Sequence, residues 1–150
     1  MATTDVVKLN EQVIETWNRH DTDKFLALCD ESIVWTINKG PETFKGKQQV
    51  KEYFENWRNA FPDLNIRIRN TVSNADQISV EYEFTGTHKG DLRTRPDMPE
   101  INPTNKRVTA YGCYTARVKG GKLAEVNNYP DRLGLIDQLG VLESLHQSVH

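Results

Sequence analysis

The chain has 150 residues, of which 37% are hydrophobic and 27% are charged. These values indicate one globular domain that can bury a core without disulfides or metals. The net charge of −2, from 19 basic and 21 acidic residues, excludes the broad basic field with which proteins attract nucleic acid.

The sequence contains no recognisable targeting segment. Its first twelve residues are polar, and nowhere do 18 consecutive apolar residues offer a membrane span. Cys29 and Cys113 form no CxxC pair, and the four histidines show no metal-binding spacing. We therefore expect a cytoplasmic protein with free thiols, no metal site, and neither nucleic acid nor membrane as a partner.

The N-terminal part predicts three helices and one strand. Residues 4–19 repeat apolar side chains at helical spacing, and Asp21 or Thr22 can cap a second, shorter helix. The β-branched and aromatic residues at 32–38 predict a strand. A third helix is predicted over 47–60, where a proline two positions later stops it, since the residue before proline avoids helical geometry.

The C-terminal part changes to a period of two. Residues 64–72 and 78–84 alternate apolar and polar side chains, which predicts a hairpin with Val72 on the buried face. A strand over 108–118 and a glycine turn at 119–122 lead into the last strand. The result is four sequential antiparallel strands after the helices.

Helices that are segregated from an antiparallel meander define an α+β fold. Three helices on one face of a curved sheet would leave a conical cavity between the two layers, and ligands bind in such cavities. Residues 1–150 are predicted to be a single domain, with 143–150 as a flexible tail.

Residues 90–105 contain three prolines and follow no period. A loop of this length in a compact domain is often a lid or a binding loop. A mobile hairpin tip explains the same pattern, so both interpretations stay open.

The last predicted strand runs into a short helix and has an unusual face. An aromatic ring, an amide and a carboxylate on one side of a sheet suit the wall of a pocket better than a core. In a regular strand, alternation puts on that side Leu123, Glu125, Asn127, Tyr129 and Asp131.

Three segments and the opening helix resemble the SnoaL-like family of polyketide cyclases, within the nuclear transport factor two-like superfamily. The segments are GTHKGDL at 86–92, NPTNKRV at 102–108 and GGKLAEVNNYPDRLGLIDQLG at 120–140. The resemblance implies a cone-shaped α+β barrel, in which a mixed, mostly antiparallel sheet and three N-terminal helices enclose a hydrophobic pocket. It also implies a homodimer or homotetramer and ring closure by an intramolecular aldol reaction without a cofactor.

Residue by residue, the family's acid/base aspartate falls on Asp131 and its GTHxG histidine falls on His88. The sequence departs from the family near Asn127, where many members carry tryptophan, and NPTNKR replaces the more usual PTGK. The resemblance predicts a cofactor-independent cyclase or isomerase that acts on a small apolar, polyketide-like carbonyl compound.

Both catalytic candidates have a structural alternative. An apolar pocket makes a carboxylate a stronger base, as proton removal next to a carbonyl requires, but an aspartate that precedes a helix is also a common N-cap. His88 could donate to a developing enolate oxygen or pair with Asp131. It could equally be a strand-end histidine that is bonded to a backbone carbonyl.

The predicted substrate-binding residues are aromatic side chains and amides. Aromatic rings form an apolar wall with phenol and indole groups available for hydrogen bonds, although most rings in a domain only fill the core. A buried amide needs a ligand, a water or a neighbour to satisfy it. The set is Trp35, Asn38, Tyr53, Trp57, Tyr111, Asn127 and Tyr129.

Three functions remain open at this point. The first is the enzyme, and the second is a non-catalytic small-molecule binding protein in which Asp131 serves only as a helix cap. The third is a scaffold that uses the outer face of the sheet. The residues predicted for that face are largely Glu, Thr, Arg and Ser, which favours modest, polar contacts with any protein partner.

Overall fold

The computed structural model of the protein describes residues 3–40, 42–94 and 97–141, so the tail predicted at 143–150 lies outside the described residues. Within them the chain forms four helices and six strands. The helices are α1 (Thr3–Arg19), α2 (Thr22–Ala27), α3 (Gly46–Ala60) and α4 (Arg132–Gln138). The strands are β1 (Cys29–Ile37), β2 (Thr43–Lys45), β3 (Asn65–Ser73), β4 (Gln77–Thr87), β5 (Arg107–Lys119) and β6 (Lys122–Pro130).

The strands form one mixed sheet in the order β2-β1-β6-β5-β4-β3. β1 runs parallel to β6, and the other neighbouring pairs are antiparallel. The predicted α+β fold with a mixed, mostly antiparallel sheet is confirmed. The cone is an open sheet covered by helices, with β2 and β3 as its edges. β2 was not predicted, because a strand of three residues is too short to show a period of two.

The predicted helices are confirmed, and local chemistry explains their boundaries. The apolar stripe of α1 is buried. The Asp21 carboxylate accepts a hydrogen bond from the Lys24 backbone N–H at 3.1 Å and caps α2. α3 ends at Ala60, just before Pro62. No helix in the described part of the chain is long and apolar enough to cross a membrane.

Two helices cover the sheet. α1 lies against β3 and β4, and α3 lies against β1 and β2. Aromatic rings fill the space between the helices: the ring centroid of Phe54 is 4.7 Å from that of Trp17 and 4.9 Å from that of Phe25. Each such pair adds about 0.5–1.5 kcal/mol beyond the burial of its area. This aromatic cluster fixes how α1 and α3 stand over the sheet.

A β-bulge changes the alternation of β3. Ile68 pairs with Tyr82 and Asn70 pairs with Glu81, so Arg69 is an extra residue between them. A shift of one residue turns every later side chain to the opposite face. Val72, which was predicted to be buried, is accordingly 66% exposed.

A second bulge in β6 decides which of its side chains face the helices. Leu123 pairs with Val118 and Glu125 pairs with Arg117, so Ala124 is the extra residue. Because of the bulge, Leu123 shares the buried face with Val126 and Asn128 rather than with Glu125 and Asn127. The prediction that all odd-numbered residues of this strand share one face is wrong for this reason.

A glycine in β5 makes room for a buried tyrosine. Gly112 is the register partner of Tyr82 on β4. A Cβ atom at Gly112 would lie 2.5 Å from the hydroxyl oxygen of Tyr82. The tyrosine therefore lies across the glycine, and its hydroxyl donates to Asn128 Oδ1 at 2.8 Å.

Gly112→Ala is expected to lower the free energy of unfolding by about 1–3 kcal/mol, because the added methyl group displaces the Tyr82 ring. Urea unfolding followed by circular dichroism measures the loss. Replacement of exposed Lys119 in the same strand by alanine should change stability by less than about 0.5 kcal/mol. A Gly112→Ala variant as stable as the wild type would show that Tyr82 does not need this space.

Candidate functional site

A cavity lies between the helices and the buried face of the sheet. The volume open to the centre of a water-sized molecule is about 90 Å³. Side chains of α1, α3 and α4 and of five strands line it, and most of these are apolar or aromatic. Such a lining with a few polar groups is typical of small-molecule sites.

Four of the predicted substrate-binding residues line this cavity: Trp35, Tyr53, Trp57 and Tyr111. Trp35 and Tyr53 are 7% and 8% exposed, whereas Tyr111 is 50% exposed and stands at the rim. The Arg69 guanidinium lies 5.7 Å from the centroid of the Tyr111 ring. The structure thus brings these four together, and their contact with a substrate stays a prediction.

The structure places the other three predicted substrate-binding residues outside the cavity. Asn38 is exposed in the turn after β1, with a left-handed backbone at φ 54°. Asn127 lies on the outer face of the sheet, where its Nδ2 donates to Glu125 Oε1 at 3.1 Å. Tyr129 pairs with Cys113 on that same outer face. The β6 bulge accounts for the last two, since it turns both side chains away from the helices.

Two hydrogen bonds that sequence reasoning missed, one buried and one partly buried, order the polar part of the cavity. Tyr82 donates to Asn128, and the Tyr114 hydroxyl donates to Asn10 Oδ1 on α1. The alternation over 78–84 put Tyr82 with the apolar residues of its strand, so a signal existed for that tyrosine. Asn128 left no such signal, because the bulge that turns it inward cannot be read from the sequence.

The Tyr53 hydroxyl is a neutral donor. Burial raises the pKa of Tyr53 to about 12, against the opposing effects of the Asn128 side chain, the charge of Arg132 and the Trp35 indole. Trp35 Nε1 is itself buried and has no partner at full hydrogen-bond geometry among the described residues. The contact of the Trp35 N–H with Tyr53 is therefore loose, and this N–H is an unsatisfied hydrogen-bond donor beside the cavity.

Asp131 lines the cavity and is also exposed to solvent, so it lies where the cavity opens. Its Oδ1 accepts a hydrogen bond from the Gly134 backbone N–H at 2.9 Å and caps α4. The predicted capping alternative is confirmed. It does not exclude acid/base chemistry, because a capping carboxylate at a cavity opening can still exchange a proton with a ligand.

Next to Asp131 lies an ion pair that sequence reasoning missed. The Arg132 guanidinium holds both carboxylate oxygens of Glu42 at 2.5 and 2.6 Å. Only 14% of the Arg132 side chain and 10% of the Glu42 side chain are exposed. Arg132 lines the cavity, but 90 residues separate the two partners, so no local pattern could have joined them.

His88 lies away from the cavity. Its ring is fully buried, with the Phe61 ring centroid at 5.5 Å, and its Nδ1 accepts from the Thr104 backbone N–H at 3.2 Å. The His88 backbone N–H donates to the carbonyl of Lys106, which continues the strand register and turns the ring toward the end of α3. The possible pairing of His88 with Asp131 is not seen among the contacts of the described residues. A catalytic role for His88 stays a prediction without support from its position.

The loop at 90–105 packs on the end of α3. The Lys89 and Gly90 backbone N–H groups donate to the Ala60 carbonyl, and Leu92 and Ile101 exchange two backbone hydrogen bonds. No residue of this loop that the structure describes lines the cavity. In its described residues the loop is docked on α3, and a role as a lid stays a prediction.

These groups define what the site can do chemically. A solvent-exposed carboxylate can exchange protons, while Tyr53 and Trp35 can donate hydrogen bonds to an oxygen atom. Across 3–40, 42–94 and 97–141, no group of three or more His, Cys, Asp or Glu side chains is arranged to hold a metal ion. The arrangement suits proton transfer on a small molecule that carries an oxygen acceptor.

An open mixed sheet with helices over one face and a cavity between them is the cone architecture of the nuclear transport factor two-like superfamily. The model of the SnoaL-like polyketide cyclase family matches residues 7–139. The chain belongs to this family, which confirms the resemblance found in its segments. A comparison with curated proteins gives no match.

Solved structures agree on the fold. A proposed SnoaL-like polyketide cyclase from Jannaschia sp. CCS1 has a TM-score of 0.81 at 16% identity, covering 92% of this chain and 93% of that chain. AclR, a proposed hydroxylase from Streptomyces galilaeus, has 0.78 at 21%, covering 93% and 98%. IdmH, a proposed polyketide cyclase from Streptomyces antibioticus, has 0.73 at 18%, covering 90% and 98%. At these identities the likeness concerns the fold alone.

Protonation of His88 is expected to weaken the fold as the pH falls from 7 to 5. Burial lowers the pKa of His88 below its usual value, so the unfolded chain binds this proton more readily than the folded chain. The free energy of unfolding then falls once the pH drops below about 6.5 and is restored above it. Urea midpoints at several pH values measure this slope.

His88→Gln should flatten the slope, whatever its effect on stability at pH 7. His20 is the control. Burial and the Arg58 charge also lower its pKa, so its protonation adds to the same loss of stability between pH 7 and 5. His20→Asn should therefore leave the His88 part of the slope in place. Identical slopes in the wild type and His88→Gln would show that the folded chain does not resist protonation at His88.

Proposed function

We propose that this SnoaL-like protein is a cofactor-independent cyclase or isomerase that acts on a small apolar carbonyl compound through an enolate. The observation that carries the proposal is the position of Asp131, whose carboxylate stands at the opening of a cavity with mostly apolar and aromatic walls. A ligand in that cavity would present its C–H bonds to a single carboxylate.

In the proposed reaction, the Asp131 carboxylate removes a proton from the carbon next to a carbonyl group, and the C–H electron pair enters the enolate. In an isomerase, the protonated Asp131 returns the proton to another carbon of the enolate. In a cyclase, the enolate carbon bonds to a second carbonyl carbon of the same molecule, and the resulting alkoxide takes the proton. In both reactions every bond and proton is accounted for within one substrate molecule and the Asp131 carboxylate.

The lining supports an uncharged, ring-containing substrate of modest size. Trp35, Tyr53 and Trp57 offer aromatic surface on which planar groups pack well. The volume open to the centre of a water-sized molecule is only about 90 Å³, and such a small cavity favours a flat molecule over a bulky one. A small hydrophobic carbonyl compound meets both conditions.

A non-catalytic small-molecule binding protein is the second candidate. The observation in its favour is the cap on α4, because the hydrogen bond from Gly134 is reason enough for an aspartate at position 131. The fold likeness to AclR, a proposed hydroxylase, adds that this architecture is not tied to one reaction.

Asp131→Asn separates the two candidates, since asparagine caps a helix as well as aspartate but is not a base. We expect this variant to keep its unfolding free energy within about 0.5 kcal/mol of the wild type and to remove protons about 100-fold more slowly or worse. The measurement is deuterium uptake at the α-carbon of aryl ketones in D₂O, followed by NMR. Thermal shift first selects ketones that bind.

Asp21 provides the matched control, because it caps α2 in the same way and does not line the cavity. Asp21→Ala and Asp131→Ala should each lower the unfolding free energy by about 0.5–2 kcal/mol, and only the second should lose deuterium uptake. Wild-type uptake in Asp131→Asn would contradict the catalytic role. Ketones that bind without any uptake would favour the binding protein.

A further inference from the structure

We infer that Glu42 and Arg132 are positioning residues, whose buried ion pair holds the Asp131 carboxylate at the opening of the cavity. The catalytic meaning of this pair rests on the proposed function, in which Asp131 is the base. Its effect on the position of Asp131 can be measured without any reaction.

The geometry of the ion pair is the first step of the argument. Each terminal nitrogen of the Arg132 guanidinium donates to one Glu42 carboxylate oxygen, at 2.5 and 2.6 Å. Two parallel hydrogen bonds between planar groups fix their relative orientation as well as their distance. Arg132 is the first residue of α4 and directly follows Asp131. The ion pair therefore fixes the start of the helix that Asp131 caps.

The anchoring of Glu42 is the second step. Glu42 lies in the turn between β1 and β2, and its backbone carbonyl accepts from the Ile37 N–H at 3.0 Å. In the same turn, the Asn38 N–H donates to the Asn128 carbonyl on β6 at 2.9 Å. The turn is thus bonded to the last strand and helix both before and after Asp131.

The burial of the ion pair is the third step. Only 14% of the Arg132 side chain and 10% of the Glu42 side chain are exposed. Removing two charges from water costs free energy, so a buried ion pair often contributes no more to stability than apolar side chains of similar size. The last turn of α4 is held without charges, by the hydrogen bonds between Gln138 and the Thr109 backbone. A buried ion pair at the end next to Asp131 therefore points to orientation rather than to stability.

The contact between Asp131 and Gly134 is the fourth step, because it shows how closely the carboxylate fits α4. Asp131 Oδ1 accepts from the Gly134 N–H at 2.9 Å. A Cβ atom at Gly134 would lie 2.5 Å from Asp131 Oδ2, so the carboxylate lies directly against the backbone of the first turn. A tilt of this turn would move the carboxylate with it. A displacement of about 1 Å can slow a reaction that depends on position about 100-fold.

Replacing both partners, in Glu42→Met/Arg132→Met, tests the inference, because apolar side chains of similar size leave no unpaired charge. We expect the urea midpoint of this double variant to stay at or above the wild-type value. Its kcat for deuterium uptake by 2-acetylnaphthalene, a flat aryl ketone, should fall about 10- to 100-fold, with KM within about twofold of the wild type. Hydrogen exchange followed by NMR should show that the Gly134 N–H loses protection.

Two controls accompany the double variant. Glu15→Met/Arg19→Met removes an exposed ion pair on α1 and should keep the wild-type kcat. The Lys24 N–H donates to Asp21 in the same kind of helix cap, and it should keep its protection when the buried pair is replaced.

Arg132→Lys is a second variant, which keeps the charge but cannot form the paired hydrogen bonds. Its kcat should also fall, to a value between those of the double variant and the wild type. A wild-type kcat in both variants would overturn the inference. A kcat that falls only together with the urea midpoint would overturn it as well, since that pattern marks a purely structural pair.

Unchanged protection of the Gly134 N–H in the double variant would overturn the inference whatever happens to kcat. If Asp131→Asn exchanges deuterium as fast as the wild type, or the wild type exchanges none, the proposed base is rejected. The Gly134 protection alone then decides whether the ion pair holds this carboxylate in place.

Discussion

The bulge at Ala124 is the constraint on which the cavity depends. It puts Asn128 on the helix-facing side of β6, where a regular strand would have put Asn127. The inward Asn128 amide then accepts a hydrogen bond from Tyr82, whose ring fits only because Gly112 has no side chain. One feature from each of three adjacent strands is thus required for a single buried hydrogen bond.

That hydrogen bond matters because most of the lining is apolar or aromatic. A buried amide without partners would be costly, and a fully paired one specifies a single packing arrangement. Tyr114 and Asn10 repeat the arrangement between β5 and α1. The first pair joins β4 to β6 within the sheet, and the second joins the sheet to α1. The polar groups thus hold these elements together and leave the apolar surface open to a ligand.

Strong local signals explain what the sequence could predict. The stripe and terminal proline of α3, the cap at Asp21 and the alternation of β4 are all short-range features, and the structure reproduces them. The β6 bulge is different, because the sequence GKLAEVNN reads equally well as a regular strand.

Long-range contacts explain most of the remaining differences. His88 follows a strand whose end is set by pairing with β5, and its ring direction depends on that pairing. The Arg132–Glu42 pair depends on the segment before β2 and the start of α4 meeting in space, although neither residue has an unusual neighbourhood in the sequence. The family resemblance predicted a role for Asp131 because it carries information about such contacts that a periodic pattern does not.

The proposed base is only as well placed as the helix it caps. α4 has seven residues, too few to be stable alone, so tertiary contacts must hold it. Arg132 binds Glu42 at its first turn, and Gln138 exchanges two hydrogen bonds of 2.7 Å with the Thr109 backbone at its last. The Asp131 backbone N–H donates to the Tyr111 carbonyl at 3.0 Å.

Asp131 is therefore restrained on both sides, by the sheet before it and by a doubly held helix after it. A carboxylate fixed in this way loses little freedom when a ligand arrives, which is the entropic advantage that positioned catalytic groups rely on. The cap and the proposed base are then not competing explanations for Asp131. The cap is the device that would aim the base at the cavity.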